Sequence, residues 1–205
     1  VISDNLVAYN TGFGVHYEAS NNGLIIDNIV FGNGQRGIYL IHSHDTQVLH
    51  NLVAFSGMQG IVSIDEGRYD TKGVLNLRAH RNTIAGNLIA WNGDLAIILP
   101  GSNYANRSDA NLFAWTREQP QFSMGWASAL SRRTLSAWRQ AEDQDRGSSD
   151  RVGPPSPSLA NSIAARQLAP DWSELRAAAN ATLVAPSLMR ALNNPHLRSH
   201  PGPWR

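Results

Sequence analysis

Apolar and polar positions along residues 1–115 repeat with a period of 23 residues. Each repeat contains an asparagine with an apolar residue two positions after it. The asparagines are Asn5, Asn28, Asn51, Asn87 and Asn111. Their spacings are 23, 23, 36 and 24, and the spacing of 36 equals 23 plus an insertion of 13. A fixed period in this range is typical of proteins built from stacked structural repeats.

The residues between the asparagines predict short strands joined by tight turns. The runs are rich in Ile and Val and are broken by Asn and Gly, which adopt positive φ at little cost. Val15, Ile38 and Ile61 each follow a glycine, ten positions after an asparagine. If the repeats stack as coils about 4.8 Å apart, the asparagines form a ladder of side-chain amides. The predicted fold class is an all-β solenoid of about five 23-residue coils, with the insertion at about residues 66–80.

The repeat pattern Ile-x-x-Asn-x-Val-x-x-Asn-x-x-x-Gly-Ile resembles the right-handed parallel β-helix of the pectin-lyase-like superfamily. The resemblance covers residues 1–115, a little over half of the chain. It implies a right-handed parallel β-helix in a carbohydrate-active protein. Lyases, hydrolases, esterases, epimerases and phage tail-spikes all share this architecture, so the resemblance specifies the fold more narrowly than the chemistry.

Residues 116–205 lack the repeat and are predicted to form a C-terminal tail. We expect a loop over 116–130, a short helix over 134–142 and a Pro/Ser-rich linker over 145–158. A second helix should begin near Asp171, and residues 186–192 favour a further helical turn.

One apolar column lies next to the asparagine ladder, on the side that strand alternation turns outward. Its members are Leu6, Ile29, Leu52, Leu88 and Leu112. An apolar stripe of this length in water would be a large exposed patch. We therefore expect the tail to cover it with Trp138 and Trp172. The alternative is that the asparagine turn tilts this column inward.

Composition excludes several classes of function. The net charge of +1 gives no electrostatic signal for nucleic acid. The absence of cysteine excludes disulfides and zinc–thiolate sites, and no apolar run is long enough to span a membrane. The resemblance implies a secreted or periplasmic bacterial protein, although the chain shows no signal peptide. Val1 enters in mid-repeat, so we expect self-association there or further coils before it.

The strand that follows each glycine is the candidate position for chemistry. Enzymes of the superfamily use the outer face of one strand column, and alternation places His16 and Glu18 on that face beside Tyr39. In the same register His42 neighbours Asp65, and Glu66 follows. The predicted catalytic residues are Glu18, His42, Asp65 and Glu66. The predicted substrate-binding residues are His16, Tyr39, His44, Arg68 and Lys72.

The spacing of the carboxylates favours hydrolysis of a glycosidic bond. Glu18 and Asp65 lie two coils apart, roughly 9–10 Å at about 4.8 Å per coil. This is the upper end of the separation at which a water fits between an acid and a base in inverting glycoside hydrolysis. Val62 and Ile64 occupy outer positions beside these residues and predict a covered surface there.

The predicted function is a glycoside hydrolase that acts on a plant or microbial polysaccharide or oligosaccharide. A polysaccharide lyase is an alternative, but such enzymes usually need a Lys or Arg base and the chain has one lysine. The other alternative is a non-catalytic adhesin, tail-spike or structural β-helix. No cofactor is predicted. A Ca²⁺ site at Asp65, Glu66 and Asp70 is left open, although no dense run of aspartates supports it.

Overall fold

A computed structural model of the chain describes residues 1–66, 68, 77–117, 121–125 and 131–180. The strands are β1 (Ile2–Ser3), β2 (Leu6–Ala8), β3 (Val15–Glu18), β4 (Leu24–Ile26), β5 (Ile29–Phe31), β6 (Ile38–Ile41), β7 (Gln47–Leu49), β8 (Leu52–Ala54), β9 (Ile61–Ile64), β10 (Thr83–Ala85), β11 (Leu88–Ala90), β12 (Ile97–Leu99), β13 (Arg107–Asp109), β14 (Leu112–Trp115), β15 (Phe122–Met124), β16 (Ser131–Arg133) and β17 (Ser149–Val152). A 3₁₀ helix spans Ser102–Tyr104, and the α-helices are α1 (Leu135–Glu142), α2 (Pro157–Ala164) and α3 (Ser173–Asn180).

The strands form three sheets that run along the stack of coils. Sheet A has the order β1-β4-β7-β10-β13, sheet B β17-β14-β11-β8-β5-β2, and sheet C β16-β15-β12-β9-β6-β3. Equivalent residues of successive coils pair in parallel, for example Val7 with Val30 and Val30 with Val53. Among the described strands, only β15 and β16 pair antiparallel. The predicted right-handed parallel β-helix is confirmed.

Stacked branched side chains fill the interior of the helix. The inward column of sheet B contains Val30, Val53 and Ile89, and that of sheet C contains Ile38 and Ile61; each is at most 1% exposed. Full burial of such a side chain contributes about 1.5–3 kcal/mol. The 23-residue period keeps the same side-chain type in the same place on every coil.

The asparagine ladder is present as predicted. The Asn5 side-chain amide donates to Asn28 Oδ1 at 3.0 Å, and the Asn28 amide donates to Asn51 at 2.9 Å. The ladder continues from Asn51 to Asn87 at 3.0 Å and from Asn87 to Asn111 at 3.2 Å. Each acceptor also receives the backbone N–H of the preceding asparagine, so the column satisfies turn groups that burial hides from water.

The positive φ of the turn does not fall on the ladder asparagines themselves. The left-handed residue is the one before each ladder asparagine, such as Asp27 (φ 57°), His50 (φ 54°) and Gly86 (φ 64°). The physical reason is that the asparagine side chain is directed along the stack to reach the next coil. The sharp turn is made by its neighbour instead.

The tail covers the apolar outer face of sheet B. The column that contains Leu52 and Leu88 packs against three residues of the tail. These are Leu159 of α2, Trp172 just before α3 and Leu175 of α3. The predicted role of Trp172 is therefore confirmed, whereas that of Trp138 is wrong. Trp138 belongs to the interior core, is 0% exposed and stacks on Phe122 at 5.3 Å.

The tail also contains more regular structure than the sequence predicted. Helix α1 begins as expected, with Thr134 Oγ1 accepting the N–H of Ala137. However, β15 lies inside the predicted loop 116–130, and β17 and the start of α2 lie inside the predicted linker 145–158. Strand pairing with the last coil organises these segments although they do not follow the repeat. The helical turn predicted at 186–192 lies outside the described residues.

Candidate functional site

The outer face of sheet C brings together ionisable residues of the first three coils. Strand register places His16 beside Tyr39, and Glu18 beside Ile41. The side chains of His16 and Glu18 are 39% and 40% exposed, whereas Tyr39 is buried. The face is covered farther along, because Val62 and Ile64 are 0% exposed. The predicted covered surface is thus confirmed, and the accessible part of the face lies at coil one, since Tyr39 and Ile41 of coil two are also buried.

Aromatic rings form the floor of this accessible part. The His16 ring stacks on Tyr39 with a centroid distance of 5.2 Å, and the Phe13 ring contacts both. The Arg36 guanidinium lies 4.3 Å from the centre of the Tyr39 ring. A cation in this position is attracted to the negative face of the ring. The contact with Arg36 therefore stabilises the position of the Tyr39 ring.

Tyr39 is linked to two glutamates, to Glu66 directly and to Glu18 through His16. The Tyr39 hydroxyl donates a hydrogen bond of 2.7 Å to Glu66. Burial raises the pKa of Tyr39 well above its usual range, and the Glu66 carboxylate raises it further, as does the charge of Glu18 to a smaller extent. Glu18 itself pairs with Arg68 at 2.6 Å and with His16 at 3.6 Å. Glu18, Glu66, Tyr39, His16 and Arg68 therefore form one cluster, called the glutamate cluster below.

Asp65 and His42 make their contacts elsewhere. Asp65 Oδ1 accepts the N–H of Ala79 at 2.5 Å, and its other oxygen lies 3.7 Å from Arg78. His42 is 2% exposed, and its Nδ1 lies 3.1 Å from the carbonyl of Leu77. His42 and Asp65, both predicted to be catalytic, thus contact the segment 77–79 at the end of the insertion.

A third group surrounds His44, which was predicted to bind substrate. His44 Nδ1 lies 2.6 Å from Asp45, whose carboxylate also accepts two hydrogen bonds of 2.6 Å from Arg81. The His44 and His80 rings stack at 4.8 Å. Burial lowers the pKa of His80, and the positive charges of Arg81 and His44 lower it further.

The structure therefore divides the candidate residues into separate groups. Lys72 and Asp70 lie outside the described residues. Sequence reasoning missed Phe13, Arg36 and Arg81. Arg36 carried a signal, because it stands 23 residues before Gln59 and its Nε donates to Gln59 Oε1 at 3.2 Å.

Comparison with known proteins identifies the family. A family model described as "Periplasmic copper-binding protein (NosD)" matches residues 1–124, more than half of the chain. The chain belongs to this family. No curated protein and no solved structure matches it. Membership in a periplasmic family agrees with the expected β-helix and with the expected periplasmic or secreted location. It does not address carbohydrate chemistry, which stays a prediction.

The described residues of this NosD-family chain do not fit a copper centre. No group of three or more His, Cys, Asp or Glu side chains among them could hold a metal ion. The nearest arrangement is the His44–His80 pair, whose rings are parallel to within 1°. Imidazole lone pairs lie in the ring plane, so two stacked rings direct them along parallel planes and not toward one ion. Within the described part of the chain, no helix is long and apolar enough to cross a membrane.

Proposed function

We propose that this periplasmic β-helix protein binds a polysaccharide at the glutamate cluster and hydrolyses a glycosidic bond there. The observation that supports this most directly is that Glu66 binds the Tyr39 hydroxyl while Glu18 contacts His16, whose ring stacks on Tyr39. Glycoside hydrolysis requires two carboxyl groups, one as an acid and one as a base or nucleophile. Glu66 replaces Asp65 as the partner of Glu18, because Asp65 is engaged with Ala79 and Arg78.

The surroundings of the two glutamates suit a sugar ligand. The exposed His16 ring and the half-buried Phe13 ring provide contact for the face of a sugar ring, while Arg68 and His16 supply hydrogen-bond donors. Arg68 is well exposed and is paired only with a surface carboxylate in the contacts described here, which is a weak interaction in water. A hydroxyl or carboxylate of a substrate can therefore displace it at little cost.

A second candidate function is sugar binding without catalysis. It is favoured by the state of the two carboxylates, since Glu18 is ion-paired and Glu66 accepts a hydrogen bond from Tyr39. A purely structural cluster would have the same contacts. The lyase alternative stays a prediction, since its candidate base Lys72 lies outside the described residues.

Degradation and binding assays separate these functions. The protein is incubated with a panel of neutral and uronate-containing polysaccharides, and new reducing ends, ultraviolet absorbance of unsaturated products and bound polymer are measured. We expect new reducing ends from one class of polymer. The Glu18→Gln and Glu66→Gln variants should each lose at least about 100-fold in turnover but retain binding, with little change in thermal stability.

Asp143→Asn is the matched control, because this carboxylate is also exposed but lies at the end of α1. It should retain full turnover. Binding without cleavage by the wild-type protein would establish the second candidate. If no polymer is bound at all, both candidates are wrong.

A further inference from the structure

A cavity opens at the corner between sheets B and C, at the fourth and fifth coils. Its empty space, including the mouth, is about 340 Å³. Asn92, Thr116 and Gln121 supply polar groups, and Trp115 supplies an indole ring. No charged side chain of the described residues lines it. A site of this composition suits a small neutral group, and it lies apart from the glutamate cluster.

A second column of asparagines explains why this space is open. Five positions after the ladder asparagines stand Asn10, Asn33, Ser56, Asn92 and Thr116. In each coil where the column holds asparagine, its carboxamide occupies the equivalent corner between sheets B and C. Asn92, for example, accepts the N–H of Ser56 at 2.9 Å and donates to the carbonyl of Val53 at 3.3 Å.

One coil farther along, the column position is Thr116, which has no carboxamide. By the same register, an asparagine side chain there would reach the carbonyl of Ile89 and the N–H of Asn92. Both of these residues line the cavity. The cavity therefore corresponds to the space that a carboxamide occupies in the coils before it.

The wall of the cavity adds a donor and a methyl group. Trp115 is 5% exposed, and its buried indole N–H has no acceptor among the described residues. An unpaired buried donor is costly, so an acceptor at this point would be favourable. Ala96 also lines the cavity, at the position where the preceding coil has Gly60. A Cβ on Gly60 would lie only 2.9 Å from the amide nitrogen of Asn92, so glycine there accommodates the carboxamide.

We propose that this cavity binds the acetamido group of an N-acetylated sugar. The ligand carbonyl accepts the Trp115 indole N–H, the ligand amide N–H replaces the missing asparagine amide at the carbonyl of Ile89, and the ligand methyl contacts Ala96. The sugar ring remains at the mouth of the cavity, next to Thr116 and Gln121. The proposal does not depend on hydrolysis at the glutamate cluster, which involves other residues on another face.

Titration of the ¹⁵N-labelled full chain tests the site through its indole N–H signals. The chain has six tryptophans, and Trp115→Phe identifies the signal of Trp115. N-acetylglucosamine and acetamide should both shift this signal, whereas glucose should not. Isothermal titration calorimetry, which does not need the Trp115 signal, should show that Trp115→Phe weakens N-acetylglucosamine binding by about tenfold, because one hydrogen bond is lost while an aromatic ring is retained. An equal response to glucose would show that the cavity does not recognise an acetamido group, and no response to N-acetylglucosamine would show that it holds water only; either result overturns the proposal.

A double variant closes the cavity with the protein's own side chain. Ala96→Gly combined with Thr116→Asn rebuilds the Gly60–Asn92 arrangement one coil farther along, and it should abolish the shift of the Trp115 signal. Ser56→Asn is the matched control, since it adds an asparagine to the same column away from the cavity and should leave binding unchanged. Undiminished binding by a folded double variant would overturn the proposal. If that variant does not fold, the calorimetric titration of Trp115→Phe decides the question.

Discussion

At the residue scale, the ladder asparagines join the coils through several hydrogen bonds each. Asn51 is 0% exposed. Its amide donates to Asn87 and to the carbonyls of Ile25 and Leu49, and its carbonyl accepts two bonds from Asn28. Both of its polar atoms are thus used within the protein, and removing them leaves partners on two neighbouring coils unsatisfied.

We expect Asn51→Leu to destabilise the fold severely. Each buried group left unpaired costs on the order of 1–3 kcal/mol, and the variant leaves several. Asn5→Leu is the control, because Asn5 is exposed at the end of the ladder and shares its bonds with one further coil only. Urea unfolding of both variants measures the difference. Equal losses of unfolding free energy would show that the ladder contributes nothing beyond a local turn.

His80 should make the stability depend on pH near neutrality. Its pKa is lowered in the folded state, so the native protein favours the neutral ring. Stability is therefore complete above the unfolded pKa of about 6.5 and falls as the pH drops below it. The melting temperature should decrease from pH 7 toward pH 5, and His80→Gln should flatten this decrease. His16→Gln, which removes an exposed histidine from sheet C, should not. An unchanged slope in His80→Gln would contradict the assignment.

The sequence predicted which strand residues are neighbours but not where their side chains bind. Register alone placed His16 beside Tyr39, because strand alternation is regular along β3 and β6. It failed for His42, whose φ of 52° ends the alternation and directs the side chain to Leu77. Arg36 and Arg81 were missed for a related reason, since long side chains reach across turns that the strand pattern does not specify.

At the scale of elements, the strands that repeat were predictable and the strands that do not repeat were not. Strand β17 pairs with β14 although its sequence, Ser-Asp-Arg-Val, has no apolar alternation. The residues just before β17 continue the asparagine ladder with other side chains. Ser148 Oγ accepts the backbone N–H of Asn111, and Asp145 Oδ1 accepts the side-chain amide of Asn111. A serine and an aspartate thus replace the next asparagine, which the period could not reveal.

Two tryptophans of the tail should behave differently when they are replaced by alanine. Trp172 covers the outer face of sheet B next to Phe31 (5.3 Å), whereas Trp138 fills the interior beside Phe122. Either change should cost about 3–5 kcal/mol. Only Trp172→Ala should also expose the apolar column, giving increased binding of a hydrophobic dye to the folded protein. If the dye instead binds only to folded Trp138→Ala, the positions assigned to the two tryptophans are wrong.

At the scale of the whole molecule, the tail crosses sheet B from the last coil back to the first. Strand β17 pairs with β14, and α3 lies against the middle of the column. Between α2 and α3, the carbonyl of Gln167 accepts a hydrogen bond of 2.8 Å from the Tyr9 hydroxyl on the first coil, and Arg166 donates to the carbonyl of Tyr9. The tail therefore ties together coils that do not touch one another and covers their shared apolar face.

This arrangement predicts the effect of shortening the chain. A protein that ends after Pro155 keeps β17 but loses α2 and α3, so Leu52, Leu88 and their neighbours become exposed to water. Since contiguous apolar patches of this kind drive association, the shortened protein should self-associate with increasing concentration, as measured by light scattering after gel filtration. A chain that ends after Asn180 keeps both helices and is the matched control. If the version ending after Pro155 is monomeric and as stable as this control, the tail has no role in covering sheet B.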